Sequence, residues 1–207
     1  MKRIWLIRHG ESKAQTMEQY SFDADLSDLG VAQAEALQEA LKDKKITFSE
    51  VHISPLRRAR QTFEALNIDK NISEAKLTQC FFDIRLIEEM PAESYQTLLP
   101  YEKLPNYAVV INESEWLDHM SERIEKFCDN LVMNEKLSGD ILIVCHMGVL
   151  NHLVRKFQSY CTDKSGNGDY FYFHNCSYSV LEITDDCQCK VIEIDNVNHL
   201  IEKKLLK

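Results

Sequence analysis

The sequence predicts an α/β fold: a three-layer α/β/α sandwich around a mostly parallel central sheet with an antiparallel edge. Three observations carry this expectation. Short apolar runs at residues 4–7, 51–53 and 141–145 alternate with stripes of apolar residues at helical spacing, the pattern of strand–helix–strand units and a parallel sheet. Two alternating segments late in the chain, at about 171–183 and 189–195, are joined by a tight turn and add an antiparallel edge. Between the second and third apolar runs, a proline-rich interval at about 89–112 breaks the alternation and reads as a short cap inserted into a single domain spanning residues 1–207.

Each element has its own justification. Leu29, Ala32, Ala36, Leu37, Ala40 and Leu41 follow a Ser27 cap and predict a helix over about 27–43. Residues 55–66 predict a second helix. Trp116, Leu117, Met120, Ile124, Phe127, Cys128 and Leu131 stripe a third over about 113–135. Val149, Leu150, Leu153, Val154 and Phe157 stripe a fourth that begins near residue 147. These stripes are core. Pro91, Pro100 and Pro105 stand with Tyr95, Tyr101, Tyr107, Glu93 and Glu102 in the cap interval, and a polar loop at 160–170 carries Gly166, Asn167 and Gly168.

Composition narrows the function classes. The chain has 207 residues and a formal net charge of −9, which argues against nucleic acid or an anionic membrane as partner. With no secretion signal and no long apolar run, the expectation is a cytoplasmic protein. Its seven cysteines then read as thiols in a reducing compartment. Cys187-x-Cys189, flanking a turn near Asp185-Asp186 and read as lying on one strand face, is with Cys176, His174 or Cys161 the most tempting zinc set, but a zinc knuckle uses C-x₂-C spacing, so no metal site is expected.

The chemistry concentrates at strand ends. The first apolar run empties into Arg8-His9-Gly10-Glu11, and the run at 141–145 empties into His146-Met147-Gly148. A third run leads into Ser54-Pro55-Leu56-Arg57-Arg58-Ala59-Arg60-Gln61-Thr62, the start of a helix whose free N–H groups suit an anion. A neutral imidazole can attack phosphorus only where cations offset the charge on its oxygens, and the guanidinium fork matches those oxygens. Arginine at strand ends beside two histidines therefore points to phosphoryl chemistry, with carboxyl-end crevices as the place.

In order along the chain stand Arg8-His9-Gly10-Glu11, Leu26-Ser27-x-x-Gly30-x-x-Gln33-Ala34, Ser54-x-Leu56-x-Arg58-Ala59-x-Gln61-Thr62, Asp83-x-Arg85-Leu86-x-Glu88 and His146-x-Gly148. This ordered set resembles the histidine phosphatase superfamily, also called phosphoglycerate mutase-like, over roughly residues 3–155. The resemblance implies a phosphoric monoester hydrolase of the histidine acid type, with no cofactor or metal and a small phosphorylated substrate. It makes His9 the nucleophile that becomes phosphohistidine. Arg8, Arg58 and His146 become the phosphate-binding groups, and Glu88 the proton donor to the leaving oxygen.

Neighbouring residues receive plainer readings. Arg57 and Arg60 face elsewhere on the helix and read as rim residues, Glu89 as a loop carboxylate, and Asp83 and Arg85 as polar framing residues. Ser12 has two readings, phosphate contact or cap of the following turn. His52, His119, His152, His174 and His199 read as ordinary loop or buried histidines. Two departures from the family pattern stand out: Glu88 precedes Glu89-Met90-Pro91 where many members have G-x-W-E-G, and the second motif is His-Met-Gly in place of His-Gly-Gly. The expected activity is hydrolysis of a small metabolite ester. The alternatives are a cofactor-dependent phosphoglycerate mutase, a phosphohistidine-protein phosphatase or a phospho-ligand binding protein. Oligomeric state is left open.

Overall fold

In strands β1 (Lys2–Arg8), β2 (Phe48–Ile53) and β4 (Gly139–Cys145), successive side chains point to opposite faces, and each face meets its own helices. Ile4, Leu6, Ile141 and Ile143 pack on one side with Ile124 and Cys128 of α3 (Glu113–Met133) and Val149, Leu153 and Phe157 of α4 (Met147–Gln158). Trp5, Ile7, Leu142 and Val144 pack on the other with Leu37 and Leu41 of α1 (Asp28–Asp43) and Ala59 of α2 (Arg57–Ala65). Near-continuous apolar strands are what burial on both faces requires. The expected three layers follow directly.

The computed structural model describes residues 1–18, 23–54, 56–68, 76–77, 113–160 and 171–207. Its six-stranded sheet has the order β3-β2-β4-β1-β5-β6, where β3 is Lys76–Leu77, β5 is Tyr178–Ile183 and β6 is Cys189–Asn196. Strands β3, β2, β4 and β1 run parallel, while β5 and β6 are antiparallel to their neighbours and form the expected edge. A short helix, α5 (Asn198–Glu202), closes the described chain. Among the described residues, no helix is long and apolar enough to cross a membrane. The cap at 89–112, the segment 161–170 and Asp83, Arg85, Glu88 and Glu89 lie outside the described residues.

Helix α1 starts where the capping reading put it: the Gly30 amide donates to Ser27 Oγ at 3.1 Å. Two expectations at the antiparallel edge need correction. The strand expected from residue 171 begins only at Tyr178, because the backbone of 171–177 is engaged elsewhere. The Phe171 amide donates to Asn151 Oδ1 at 2.8 Å, the His174 amide to Asp195 Oδ1 at 2.8 Å, and the Cys176 amide to the Arg8 carbonyl at 3.0 Å. Likewise Cys187 does not share a strand face with Cys189. It sits in the β5–β6 turn at φ 63°, and Cys189 opens β6.

Candidate active site

Strand register builds the site. Arg8 lies opposite Cys145, and Ile53 opposite Val144, so the three parallel strands β1, β2 and β4 end level with one another. The ladder runs one residue further on each side: the His9 amide donates to the Cys145 carbonyl at 3.0 Å and the Ser54 amide to the Val144 carbonyl at 2.9 Å. His9, Ser54 and His146 therefore stand in a row at the carboxyl ends of adjacent strands. Strand β1 leads to α1 on one face and β4 to α4 on the other, the arrangement that opens a ligand crevice between neighbouring strands.

Two helix N-termini point at this row. Arg58 is the second residue of α2, and His146 occupies the N-cap position of α4 with extended backbone. The aligned peptide dipoles of the two helices add positive potential where an anion would lie. Arg8, His9, Arg58 and His146 are 8%, 5%, 8% and 1% exposed, so this charge acts with little water to screen it.

Hydrogen bonds on both nitrogens fix the His9 ring. Its Nδ1 lies 2.6 Å from the Gly10 carbonyl, which can only accept, so the proton sits on Nδ1 and Nε2 carries the lone pair. The Arg58 Nε–H donates to that lone pair at 3.2 Å. The His146 ring centre lies 5.1 Å from that of His9, and its Nε2 is 2.6 Å from Ser54 Oγ. Burial pushes the His9 pKa well below its ordinary value, and the charges of Arg58, His146 and Arg8 push it further. Burial does the same to His146, followed by Arg58 and Arg8. Both imidazoles are thus neutral at neutral pH, and a neutral His9 is nucleophilic.

The surrounding contacts separate the three arginines of α2. Arg57 is held by carboxylates: its amide donates to Asp23 Oδ1 at 2.7 Å and its Nη1 to Asp25 Oδ1 at 3.3 Å. It is therefore an ion-paired brace, not the solvated rim residue that helical spacing implied. Burial raises the Asp23 carboxyl above its ordinary pKa, partly offset by the Arg57 amide and the charges of Arg58 and Arg57. Arg58 is the one that reaches His9. Ser12, 2% exposed, gives its hydroxyl to Gln15 Oε1 at 3.3 Å.

Glycine at two motif positions has a steric cause. A Cβ on Gly10 would meet the Gly30 carbonyl oxygen at 2.5 Å, and one on Gly30 would meet the Glu11 carbonyl oxygen at 2.0 Å. The turn after β1 and the start of α1 touch backbone to backbone. Glu11 reinforces this contact, accepting from Ser27 Oγ at 2.9 Å and from Lys207 Nζ at 2.8 Å. Thr62 closes the other side: it takes the Gly10 amide at 3.0 Å and donates to the Arg58 carbonyl at 2.6 Å.

Sequence reasoning placed the segment 173–176 in a strand, yet it braces the turn. The Arg8 guanidinium donates to the Phe173 carbonyl, Asn175 Nδ2 donates to the His9 carbonyl at 2.9 Å, and the Cys176 amide bonds the Arg8 carbonyl at 3.0 Å. Cys176 holds this geometry with a left-handed backbone, φ 54°, and burial raises its thiol pKa. Its carbonyl accepts from His199 Nε2 at 3.0 Å. The remaining histidines with described side chains are engaged structurally: His52 with Glu50 at 2.7 Å, His152 with Ser121 Oγ at 3.1 Å and His174 with Asp195 at 2.6 Å.

Comparison with known proteins identifies the class. The family model of the histidine phosphatase superfamily (branch 1) matches residues 4–195, and the chain belongs to that superfamily. It is 28% identical over 187 residues to the 6-phosphofructo-2-kinase/fructose-2,6-bisphosphatase of Gallus gallus, covering 88% of this chain and 37% of that protein. The chain thus spans under half the length of such relatives. Among solved structures it resembles the alpha-ribazole phosphatase of Shigella flexneri, with TM-score 0.68 and 23% identity over 94% of this chain and 96% of that one. It also resembles a phosphoserine phosphatase of Entamoeba histolytica, solved with 3-phosphoglyceric acid, with TM-score 0.64 and 17% identity over 97% of this chain and 100% of that one. At these identities the structural likeness establishes the fold.

Proposed function

We propose that the chain is a metal-independent phosphomonoesterase that works through a phosphohistidine on a small phosphorylated metabolite. The carrying observation is the His9 Nε2 lone pair, 3.2 Å from Arg58 Nε and enclosed by Arg8 and His146. The fold likeness to proteins named as phosphatases supports the same reading. In the first half-reaction His9 Nε2 attacks phosphorus in line, the P–O bond to the leaving group breaks, and protonated Glu88 supplies the proton to the departing oxygen. Arg8, Arg58 and His146 hold the equatorial oxygens, with Ser12 at their margin. In the second half-reaction water gives its proton to the Glu88 carboxylate and attacks the phosphohistidine. Inorganic phosphate leaves and neutral His9 returns.

Glu88 enters through its motif position, and its protonation near neutral pH needs desolvation or the substrate's negative charge to raise its pKa. Arginine supplies the cationic field that Mg²⁺ supplies in other phosphoryl transferases. The test is a phosphatase assay with EDTA over a panel of phosphorylated metabolites, wild type beside His9→Ala, with acid- and base-quenched samples. Expected are turnover that survives EDTA, its loss in His9→Ala, and an acid-labile, base-stable adduct. Unchanged activity in His9→Ala overturns the assignment of the nucleophile. Isomerisation of 3-phosphoglycerate stimulated by 2,3-bisphosphoglycerate would instead make the chain a mutase.

A further inference from the structure

We propose that Ser54 is a positioning residue for phosphoryl transfer: its hydroxyl donates to His146 Nε2 and so holds His146 as a neutral imidazole with its proton on Nδ1, the nitrogen that meets the phosphoryl oxygens. This assignment rests on the phosphatase reading above, in which His146 helps to hold those oxygens. It adds which nitrogen of His146 donates to them, and which residue decides it.

The hydroxyl proton of Ser54 has one place to go. Ser54 is fully buried, and its Oγ lies 2.6 Å from His146 Nε2 and 3.4 Å from the Leu56 amide. That amide can only donate, so it occupies a lone pair of Oγ, as in the turns that serine makes with the amide two residues on. Among the described residues, the acceptor within reach of the Ser54 O–H is then His146 Nε2. The reverse arrangement, with Nε2–H donating to Oγ, would bury the hydroxyl proton without an acceptor, which costs more than one hydrogen bond returns.

The scaffold fixes this meeting. The Ser54 amide donates to the Val144 carbonyl at 2.9 Å, which holds Ser54 beside the end of β4, and His146 occupies the N-cap position of α4. In the sheet order β3-β2-β4-β1, β4 lies between β2 and β1, so His146 stands between Ser54 and His9. Its ring turns Nε2 to Ser54 on the β2 side and comes within 5.1 Å of the His9 ring, centre to centre, on the β1 side. Burial first, then the charges of Arg58 and Arg8, keep the ring neutral. A neutral imidazole whose Nε2 accepts from Ser54 carries its proton on Nδ1.

The two imidazoles then play opposite parts at phosphorus. His9 keeps its proton on the Gly10 carbonyl side and offers a lone pair for attack. His146 has its lone pair engaged by Ser54 and offers an N–H to a phosphoryl oxygen. The other tautomer of His146 would set a lone pair against oxygens that carry negative charge. Ser54 excludes it, because the bond made at one ring nitrogen determines the state of the other.

Long-range proton–nitrogen correlation spectra of isotope-labelled protein at neutral pH read the tautomer directly, with the His146 ring signals assigned by their loss in His146→Gln. The wild type should show Nε2 unprotonated and Nδ1 protonated. Ser54→Ala, which deletes one buried oxygen, should move the proton wholly or in part to Nε2. In that variant the inhibition constant of inorganic phosphate should rise, and kcat/KM for p-nitrophenyl phosphate should fall, each by about tenfold, the scale of one hydrogen bond to a charged group. A protonated Nε2 in the wild type, as the other tautomer or as the imidazolium, overturns the assignment. So does a Ser54→Ala protein whose His146 tautomer or phosphate affinity matches the wild type. Absence of all wild-type turnover, p-nitrophenyl phosphate included, overturns the phosphatase reading and the positioning role with it, and the spectra tell that failure apart from a wrong tautomer.

Discussion

The parallel part of the sheet and its antiparallel edge supply different kinds of atoms to one crevice. Strands β1, β2 and β4, with the starts of α2 and α4, contribute charged and nucleophilic side chains: Arg8, His9, Arg58 and His146. The edge contributes main-chain groups and one amide: the Phe173 carbonyl, the Cys176 N–H and Asn175 Nδ2. Phosphoryl transfer needs particular side chains at phosphorus, whereas a brace needs only a peptide group at the right place. If this division holds, substitutions in the parallel part act on the rate of chemistry, and substitutions at the edge act on how well the turn is held.

The largest effect expected is that of His9→Ala, which should lower kcat by roughly 10⁵-fold while the protein stays folded. Single-turnover kinetics and circular dichroism on the same preparation check both halves of that statement. Retained burst formation of a phosphoenzyme would move the nucleophile elsewhere. Next comes Arg58→Ala, which removes the donor aimed at the attacked phosphoryl group and should cost about 10²–10³ in kcat, the scale of one preorganised transition-state contact. Lysine at 58 should recover little of this, because a point charge does not reproduce a planar donor fork. A loss under threefold in Arg58→Ala would mean that Arg8 and the helix N-termini suffice.

This division also explains what could be read from the sequence. Strand–helix alternation and the apolar stripes gave the three layers, since Ile4 and Leu6 face α3 and α4 while Trp5 and Ile7 face α1. The grouping of His9, Arg8, Arg58 and His146 was legible because arginine and histidine at the ends of apolar strands are unusual and chemically specific. Asn175 was not legible: its contact with the His9 carbonyl joins positions 166 residues apart. Nor was the pairing of Arg57 with Asp23 and Asp25, which helical spacing cannot foresee because it depends on where another loop runs. The bracing by Cys176 was not legible either, because it is made by the backbone.

Close backbone contact gives the largest expected stability effect. In Gly30→Ala the new methyl group would stand 2.0 Å from the Glu11 carbonyl oxygen, and neither backbone can retreat without disturbing the His9–Gly10 turn. About 3 kcal/mol of destabilisation is expected, a fall in Tm of about 8 °C, readable by calorimetry. A Tm within 2 °C of wild type would show that the contact relaxes easily.

The buried imidazoles make a further difference between the two regions. His9 and His146 have pKa values held well below the ordinary 6.5, chiefly by burial. As pH falls below about 6.5 the unfolded chain takes up protons that the folded chain refuses, so stability is complete above that pH and declines below it. His199, beside the edge, is shifted the same way by burial but is opposed by its bond to the Cys176 carbonyl and the charge of Glu202. Denaturant titrations from pH 8 to pH 5 should show Cm falling with acidification, and His146→Gln should flatten that slope more than His199→Gln does. Equal slopes in all three proteins would place the titrating groups elsewhere.

The smallest effect belongs to the brace. Asn175→Ala removes the Nδ2 bond to the His9 carbonyl at 2.9 Å and the reciprocal amide contact with Gln15, in which Gln15 Nε2 donates to Asn175 Oδ1 at 3.1 Å. The His9 carbonyl keeps a second donor, the Cys176 amide at 3.3 Å, so it is not left without a partner. A loss of about 1 kcal/mol in stability is expected, the net worth of a hydrogen bond whose acceptor stays satisfied. Because the same bond sets the peptide that follows the nucleophile, kcat should fall a few-fold while KM for p-nitrophenyl phosphate changes less. A fall comparable to that of Arg58→Ala would mean that the edge takes part in the chemistry and that the division between the two regions is drawn in the wrong place. A stability loss with kcat untouched would confine the edge to holding the sheet together.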